Sequence, residues 1–149
     1  MRAVIQRVSR ASVTVDSEIT GEINSGLLVF LGIHRNDGKK DITWLSDKIV
    51  NLRIFKDQDG KMNRSLIDME KSLLVVSQFT LYGDCRKGRR PGFSAAAPPD
   101  HAKNLYQQFI DAINQKGITT ASGRFQAQMD VELINDGPIT LLLDSSKLF

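Results

Sequence analysis

The sequence predicts an α/β protein of the α+β kind: a mixed sheet of about seven or eight strands with two helices segregated outside it. Three observations carry this expectation. Strand-like runs recur through both halves of the chain. Two of them, GLLVFLGI (26–33) and SLLVVSQFTLY (72–82), are almost continuously apolar, as in strands buried on both faces. Only two segments, one after Asp41 and one after Pro98-Pro99, place apolar residues at clear helical spacing.

Taken in order, residues 2–8 and 12–16 read as strands with Ser9-Arg10-Ala11 between them, and residues 18–23 add a third after a turn at Asp16-Ser17. Beyond the buried run at 26–33, HRNDGKKD is a polar loop. Asp41 can cap a helix whose apolar face is Ile42, Leu45, Ile49 and Leu52. Arg53 to Phe55 starts a short strand, turned by DQDG. After the run at 72–82, two prolines lead into a second helix capped by Asp100, with the stripe Ala102, Leu105, Phe109 and Ile113 and a stop at Gly117. Phe125 and Met129 read as core residues. Two final strands flank Asn135-Asp136-Gly137-Pro138, where Asp-Gly signals a hairpin turn and Pro138 withholds an N–H from the ladder. Sheet edges must be closed or paired, so a curved or dimerised sheet is expected.

Composition narrows the function classes. The 149 residues fit one domain, 1–149, able to bury roughly two-thirds of its unfolded surface. The lone Cys85 rules out an internal disulfide framework and suits a reducing compartment. The opening MRAVIQRVSR lacks a signal peptide's apolar stretch, and no run approaches the roughly 20 apolar residues of a membrane helix, so a cytoplasmic protein without membrane contact is expected. Two separated histidines, His34 and His101, and one cysteine give no zinc spacing; nucleophile-elbow, phosphate-loop and dinucleotide motifs are missing. No cofactor is expected. The net charge of +3 is small, but Arg86, Lys87, Arg89 and Arg90 cluster in CRKGRRPGF. That cluster is either a solvated loop or a phosphate contact. No basic tail or aromatic stacking platform is visible.

Polar residues inside the second apolar run raise a sharper question. Period-two geometry puts Gln78 and Thr80 on one face with Leu74, Val76 and Tyr82, and Ser77 and Phe79 on the other. Buried without partners, such groups cost on the order of 1–3 kcal/mol each. They either bond to backbone at a solvated strand end or form a pocket wall beside the basic loop. Arg7, on the face of Ala3 and Ile5, reads as an exposed strand arginine.

SQFTLYGD (77–84), GRRPGFSAAAPP (88–99) and NDGPITLLLDS (135–145), in that order and spacing, resemble the D-aminoacyl-tRNA deacylases. MRAVIQRVSRASVTVD resembles that family's first hairpin, so the likeness spans essentially the whole chain. It implies β/β/α layers with strongly curved, barrel-like sheets and two main helices outside. It also implies a cytoplasmic homodimer that hydrolyses the ester between a D-amino acid and the 3′-terminal adenosine of tRNA; because glycine has no side chain for a chiral filter to exclude, glycyl-tRNA is expected as a further substrate. In such a protein Ser77, Gln78, Phe79 and Thr80 line the catalytic pocket. Gly137-Pro138 is a cis pair that reaches into the partner subunit's pocket and rejects L-amino acids. Arg7, Asn135 and Thr140 support that motif, and Arg86, Lys87, Arg89 and Arg90 contact the tRNA. One departure is Gly92, where the family often has serine. Two rival readings are an editing module for a misattached L-amino acid or glycine, and a nucleic-acid-binding dimer without hydrolase activity.

Overall fold

The computed structural model describes every residue from Met1 to Phe149. Its elements run β1 (Arg2–Val15), β2 (Glu18–Ile23), β3 (Gly26–Gly32), α1 (Lys39–Val50), β4 (Phe55–Lys56), β5 (Met62–Arg64) and β6 (Ser72–Ser77), then a 3-10 turn (Phe79–Tyr82), α2 (Pro99–Asn114), β7 (Thr120–Ser122) and β8 (Asp130–Asp144). No helix is long and apolar enough to cross a membrane.

β1 is one strand rather than the two expected; Ser9, Arg10 and Ala11 continue it, while β8 shifts register beside them. Asp16 and Ser17 both have positive φ (51° and 66°), the backbone a two-residue hairpin loop needs, and they turn β1 into β2. β2 and β3 lie end to end along one edge of β1, since Ala11 pairs with Ile23 and Val8 with Gly26. From β3 the sheet continues in parallel through β6 to β7. It curls until β7 comes back beside β2, a nearly closed, barrel-like wall.

The continuous apolar runs are explained by two separate apolar layers. Leu27, Val29, Leu31, Leu73 and Val75 face α1 and α2, packing with Leu45, Ile49, Phe109 and Ile113. Leu28, Leu74 and Val76 face the other way, against Val8, Val13, Val15 and Ile23. Each such side chain contributes about 1.5–3 kcal/mol by leaving water. Both helices start earlier than expected. Asp41 sits inside the first turn of α1, where its carboxylate accepts from the Gly38 amide at 2.9 Å. Pro99 opens α2, where its missing N–H costs nothing, and Asp100 follows inside the turn.

Two expectations fail in ways that shape the site. The run 72–82 is not one strand: β6 ends at Ser77, after which the Gln78 amide makes a last rung to the Leu31 carbonyl at 2.8 Å and the chain winds into the 3-10 turn. Gly32 permits this, because a Cβ there would stand 3.1 Å from the Gln78 carbonyl oxygen and 3.0 Å from Leu81 Cβ. Nor does NDGP close a hairpin. Both flanking runs belong to the single strand β8, which pairs antiparallel with β1 from Asp130 opposite Thr14 to Asp144 opposite Arg2. β1 offers one continuous edge to both runs, so each satisfies its backbone there rather than against the other. The Asp-Gly-Pro stretch becomes a bulge: while β1 passes from Gln6 to Val8, β8 runs back from Thr140 to Asn135.

Candidate active site

Where β6 gives way to the turn, a cleft of about 540 Å³ opens. Leu31, Ile33 and Val76 make its apolar base, Pro99 and Ala102 bring in the start of α2, and the segment from Phe125 to Val131 closes the far side. Phe125 and Met129, expected in the core, are half-buried: each packs against one of the two apolar layers and also lines this cleft. Ser77, Gln78 and Phe79 form the wall. Gln78 Nε2 donates to Thr80 Oγ1 in a short contact. Those two residues are therefore neighbours as expected, but through the turn and not through a strand's pleat. The Thr80 hydroxyl is exposed, and no histidine, lysine or carboxylate is bonded to it.

Hydrogen bonds within the turn begin with the Leu81 amide to the Gln78 carbonyl (3.2 Å), followed by Gly83 to Thr80 (2.9 Å). The amides of Phe79 and Thr80 head the turn, the position at which helix N–H groups have no intrahelical acceptor. A third of the wall is less polar than the motif suggests: Phe79 is 56% exposed and packs edge-on against Phe93, with ring centroids 5.0 Å apart. Sequence reading found no aromatic platform, yet the fold builds this exposed pair. The only signal was Phe93, three residues beyond the last arginine of the basic cluster.

The second feature lies on β8. Arg7 is buried, 5% exposed, not a surface arginine. Its neighbours in alternation, Ala3 and Ile5, belong to the helix-side layer, so the same face carries its guanidinium inward. There it donates to the carbonyl of Ile54 in a short contact and to the Asp136 carbonyl at 3.2 Å, and pairs with the Asp136 carboxylate at 3.0 Å. Asn135 Nδ2 ties the bulge across its mouth, donating to the carbonyls of Arg7 and Ile139, both at 2.9 Å. Thr140 Oγ1 accepts from Gln6 Nε2 at 3.1 Å. On this frame Gly137 and Pro138 stand exposed, joined by a cis peptide, with Gly137 at φ +150°. A Cβ at Gly137 would come within 2.5 Å of the Ile139 nitrogen. Neither residue lines the Ser77–Phe79 cleft of its own chain.

The basic loop divides. Arg86 is held by Asp84 in a paired contact (2.8 and 2.7 Å), and that hydrogen-bonded guanidinium holds the Asp84 carboxyl well below the usual carboxylate range. Lys87, Arg89 and Arg90 are exposed and make no ion pair. Arg86 borders a second, more polar cleft of about 740 Å³ with Arg2, His34, Tyr82 and Asp144. Arg2 lies 4.7 Å over the Tyr82 ring there, and burial pushes the Tyr82 hydroxyl far up.

Fold and cleft together define a class: a barrel-like α+β protein whose ligand-sized cleft is walled by the end of a parallel strand and carries its polar groups at the rim. Within that class the chain belongs to the D-Tyr-tRNA(Tyr) deacylase family, whose profile matches residues 4–144. It is 60% identical to a D-aminoacyl-tRNA deacylase of Clostridioides difficile and 56% identical to one of Thermotoga petrophila, each match covering 100% of both chains. Among solved structures it resembles a c-Myc DNA unwinding element binding protein, with a TM-score of 0.91 and 40% identity over 97% of this chain and 98% of that one. It also resembles a probable eukaryotic D-amino acid tRNA deacylase with a TM-score of 0.81; at 17% identity that likeness speaks for the fold alone. The family and the curved, barrel-like architecture expected from the motifs are thus borne out.

Proposed function

We propose that this chain hydrolyses the ester joining a D-amino acid to the 3′-terminal adenosine of tRNA, releasing the free amino acid and tRNA. The observation that carries the reading is the cleft wall Ser77-Gln78-Phe79, set at a strand-to-turn junction in a chain whose full-length relatives are named D-aminoacyl-tRNA deacylases. An aminoacyl ester is already activated, so catalysis needs positioning and oxyanion stabilisation more than a strong nucleophile. The amides of Phe79 and Thr80 face the developing oxyanion; Ser77 and Gln78 orient the terminal adenosine. Thr80 has no base to activate it, and the RNA's own 2′-hydroxyl assists the attack of water. Thr80→Ala therefore keeps most single-turnover activity; near-complete loss with tRNA binding intact would sink the RNA-assisted route.

Chirality is assigned to Gly137-Pro138. D and L esters share every functional group, so only a fixed steric wall near Cα separates them for many side chains at once. The working unit is a homodimer, in which the exposed Gly137-Pro138 carbonyls of one subunit enter the cleft of the other. Support comes from β8, whose outer edge pairs with no strand of its own chain and exposes Ile134 (47%) and Leu142 (60%). Glycine offers no side chain to exclude, so glycyl-tRNA passes the filter. The test is hydrolysis of D-tyrosyl-, L-tyrosyl- and glycyl-tRNA by the purified protein. D-tyrosyl and glycyl esters are expected to be cleaved and the L-tyrosyl ester spared; equal rates on both enantiomers would overturn the assignment.

A second reading, a nucleic-acid-binding dimer without hydrolase activity, is favoured by the likeness to the c-Myc DNA unwinding element binding protein. Tight duplex binding with D-tyrosyl-tRNA left intact would select it.

A further inference from the structure

Resting on the deacylase reading, we infer that Phe79 and Phe93 form a stacking shelf for the unpaired nucleotide immediately 5′ of the terminal adenosine. The pair is exposed, Phe79 by 56% and Phe93 by 37%, which is unusual for two touching phenyl rings in a protein whose other phenylalanines are mostly packed. Phe79 borders the cleft while Phe93 does not, so the pair spans from the cleft wall to the ground outside it. The backbone beneath both rings is held by its own hydrogen bonds. Phe79 rides on the 3-10 turn, and Phe93 follows the backbone clamp between Asp84 and Gly92 (2.7 and 3.0 Å) and starts the turn closed by the Ala96 amide at 3.0 Å.

Charge complements the rings. Lys87, Arg89 and Arg90, free of carboxylate partners, lie in the short loop that the Asp84–Gly92 clamp closes beside Phe93. An aromatic face next to unpaired cations is how proteins hold single-stranded nucleic acid without reading its sequence: the base stacks and the phosphate is neutralised. The 3′ end of tRNA is single-stranded, so its penultimate base is free to stack once the terminal adenosine occupies the cleft. The edge-on angle of the two rings, 65°, leaves one ring face for the base and uses the other ring as its support.

The experiment compares kcat/KM on three D-tyrosyl esters: of adenosine, of the dinucleotide CpA and of tRNA. Stacking of one base predicts a gain of about 5- to 150-fold from adenosine to CpA in the wild-type protein. Phe93→Ala is expected to abolish that gain, mainly through KM, and Phe93→Trp to restore it; thermal unfolding and sizing establish that both variants fold and assemble. A Phe93→Ala loss that is equal on the adenosine and CpA esters, or accompanied by loss of the dimer, assigns the ring to the cleft or to subunit contact and overturns the shelf. So does a wild-type gain that survives the substitution. If the wild-type protein cleaves none of the three esters, the deacylase reading itself falls, and the shelf with it.

Discussion

Arg7→Met removes the brace beneath the β8 bulge while keeping an unbranched side chain of similar length. Arg7 is 5% exposed, and its guanidinium serves the Ile54 carbonyl, the Asp136 carbonyl and the Asp136 carboxylate. These acceptors do not lose equally. Ile54 is buried at 8% exposure, so its carbonyl is left without its charged donor at a cost of about 1–3 kcal/mol. The Asp136 side chain is 52% exposed and regains water, so its share is about 0–1 kcal/mol. The sum is about 1–4 kcal/mol, on the whole less than the 3–5 kcal/mol of a wholly buried pair. For a chain of this length that corresponds to a fall in Tm of about 2–16 °C. Arg7→Lys should lose roughly half as much, because one ammonium cannot span Ile54 and Asp136 together. Urea unfolding followed by circular dichroism gives the free energy, and hydrolysis of D- and L-tyrosyl-tRNA gives the selectivity of the same samples. If Arg7→Met unfolds within about 0.5 kcal/mol of wild type, the brace is idle. If it is destabilised with undiminished discrimination against the L ester, Arg7 holds the fold and not the bulge's aim.

Three further outcomes follow from the same geometry. Gly137→Ala places a Cβ 2.5 Å from the Ile139 nitrogen at a φ of +150°, and should cost about 1–3 kcal/mol in unfolding experiments and lower the D-to-L rate ratio. Replacing Arg89 and Arg90 by alanine should flatten the slope of log tRNA affinity against log salt by about 1.4–1.8, at 0.7–0.9 per phosphate contact, whereas Arg86→Ala, already neutralised by Asp84, should barely move it. Burial alone would raise the Asp41 carboxyl, but hydrogen bonds from Ser145 and the Gly38 amide and the nearby Met1 ammonium outweigh it and hold the group below its ordinary value. A lowered folded-state value means stability that is complete above the unfolded value of about 3.9 and fades as pH falls through the folded one; Asp41→Asn should flatten that acid limb in a pH series of urea midpoints.

What the sequence disclosed, and what it withheld, follows from the range of the forces involved. β3 and the first part of β6 were legible because burial on both faces writes itself locally, as an unbroken apolar run. The helices were legible for the same reason, through their stripes. The partner of a strand leaves no such mark. NDGP sits between two strand-like runs whether they pair with each other or both with β1, and only the length of β1's free edge decides for the latter. Arg7 failed similarly: alternation placed it with Ala3 and Ile5 but did not say which face the helices cover. The polar triplet Ser77, Gln78 and Thr80 was visible as an anomaly in an apolar run, and the anomaly was real, although its cause was a turn ending the strand. Phe79 and Phe93 were each visible and their contact was not, since it depends on the loop between them folding back through the Asp84–Gly92 clamp.

The bulge and the cleft have one structural relation that explains why a single chain would place them apart. β1 carries β8 on one edge and the β2–β3 pair on the other, so the Gly137-Pro138 bulge and the β6 terminus lie on opposite sides of the same strand. Any shift of β1 moves both together; neither can be tuned toward the other within one chain. In the proposed homodimer a second copy would remove that constraint, with the free edge of β8 carrying a bulge braced by its own Arg7 and Asn135 to the cleft of the other subunit. A covalently linked dimer with Gly137→Ala in one subunit and Ser77→Ala in the other distinguishes the two arrangements. If the subunits complement across the contact, one linked arrangement concentrates both lesions in a single composite site and leaves the other site intact, so about half of the wild-type D-selective activity remains. If each chain acts alone, both sites carry one lesion, and the surviving activity loses its discrimination against the L ester.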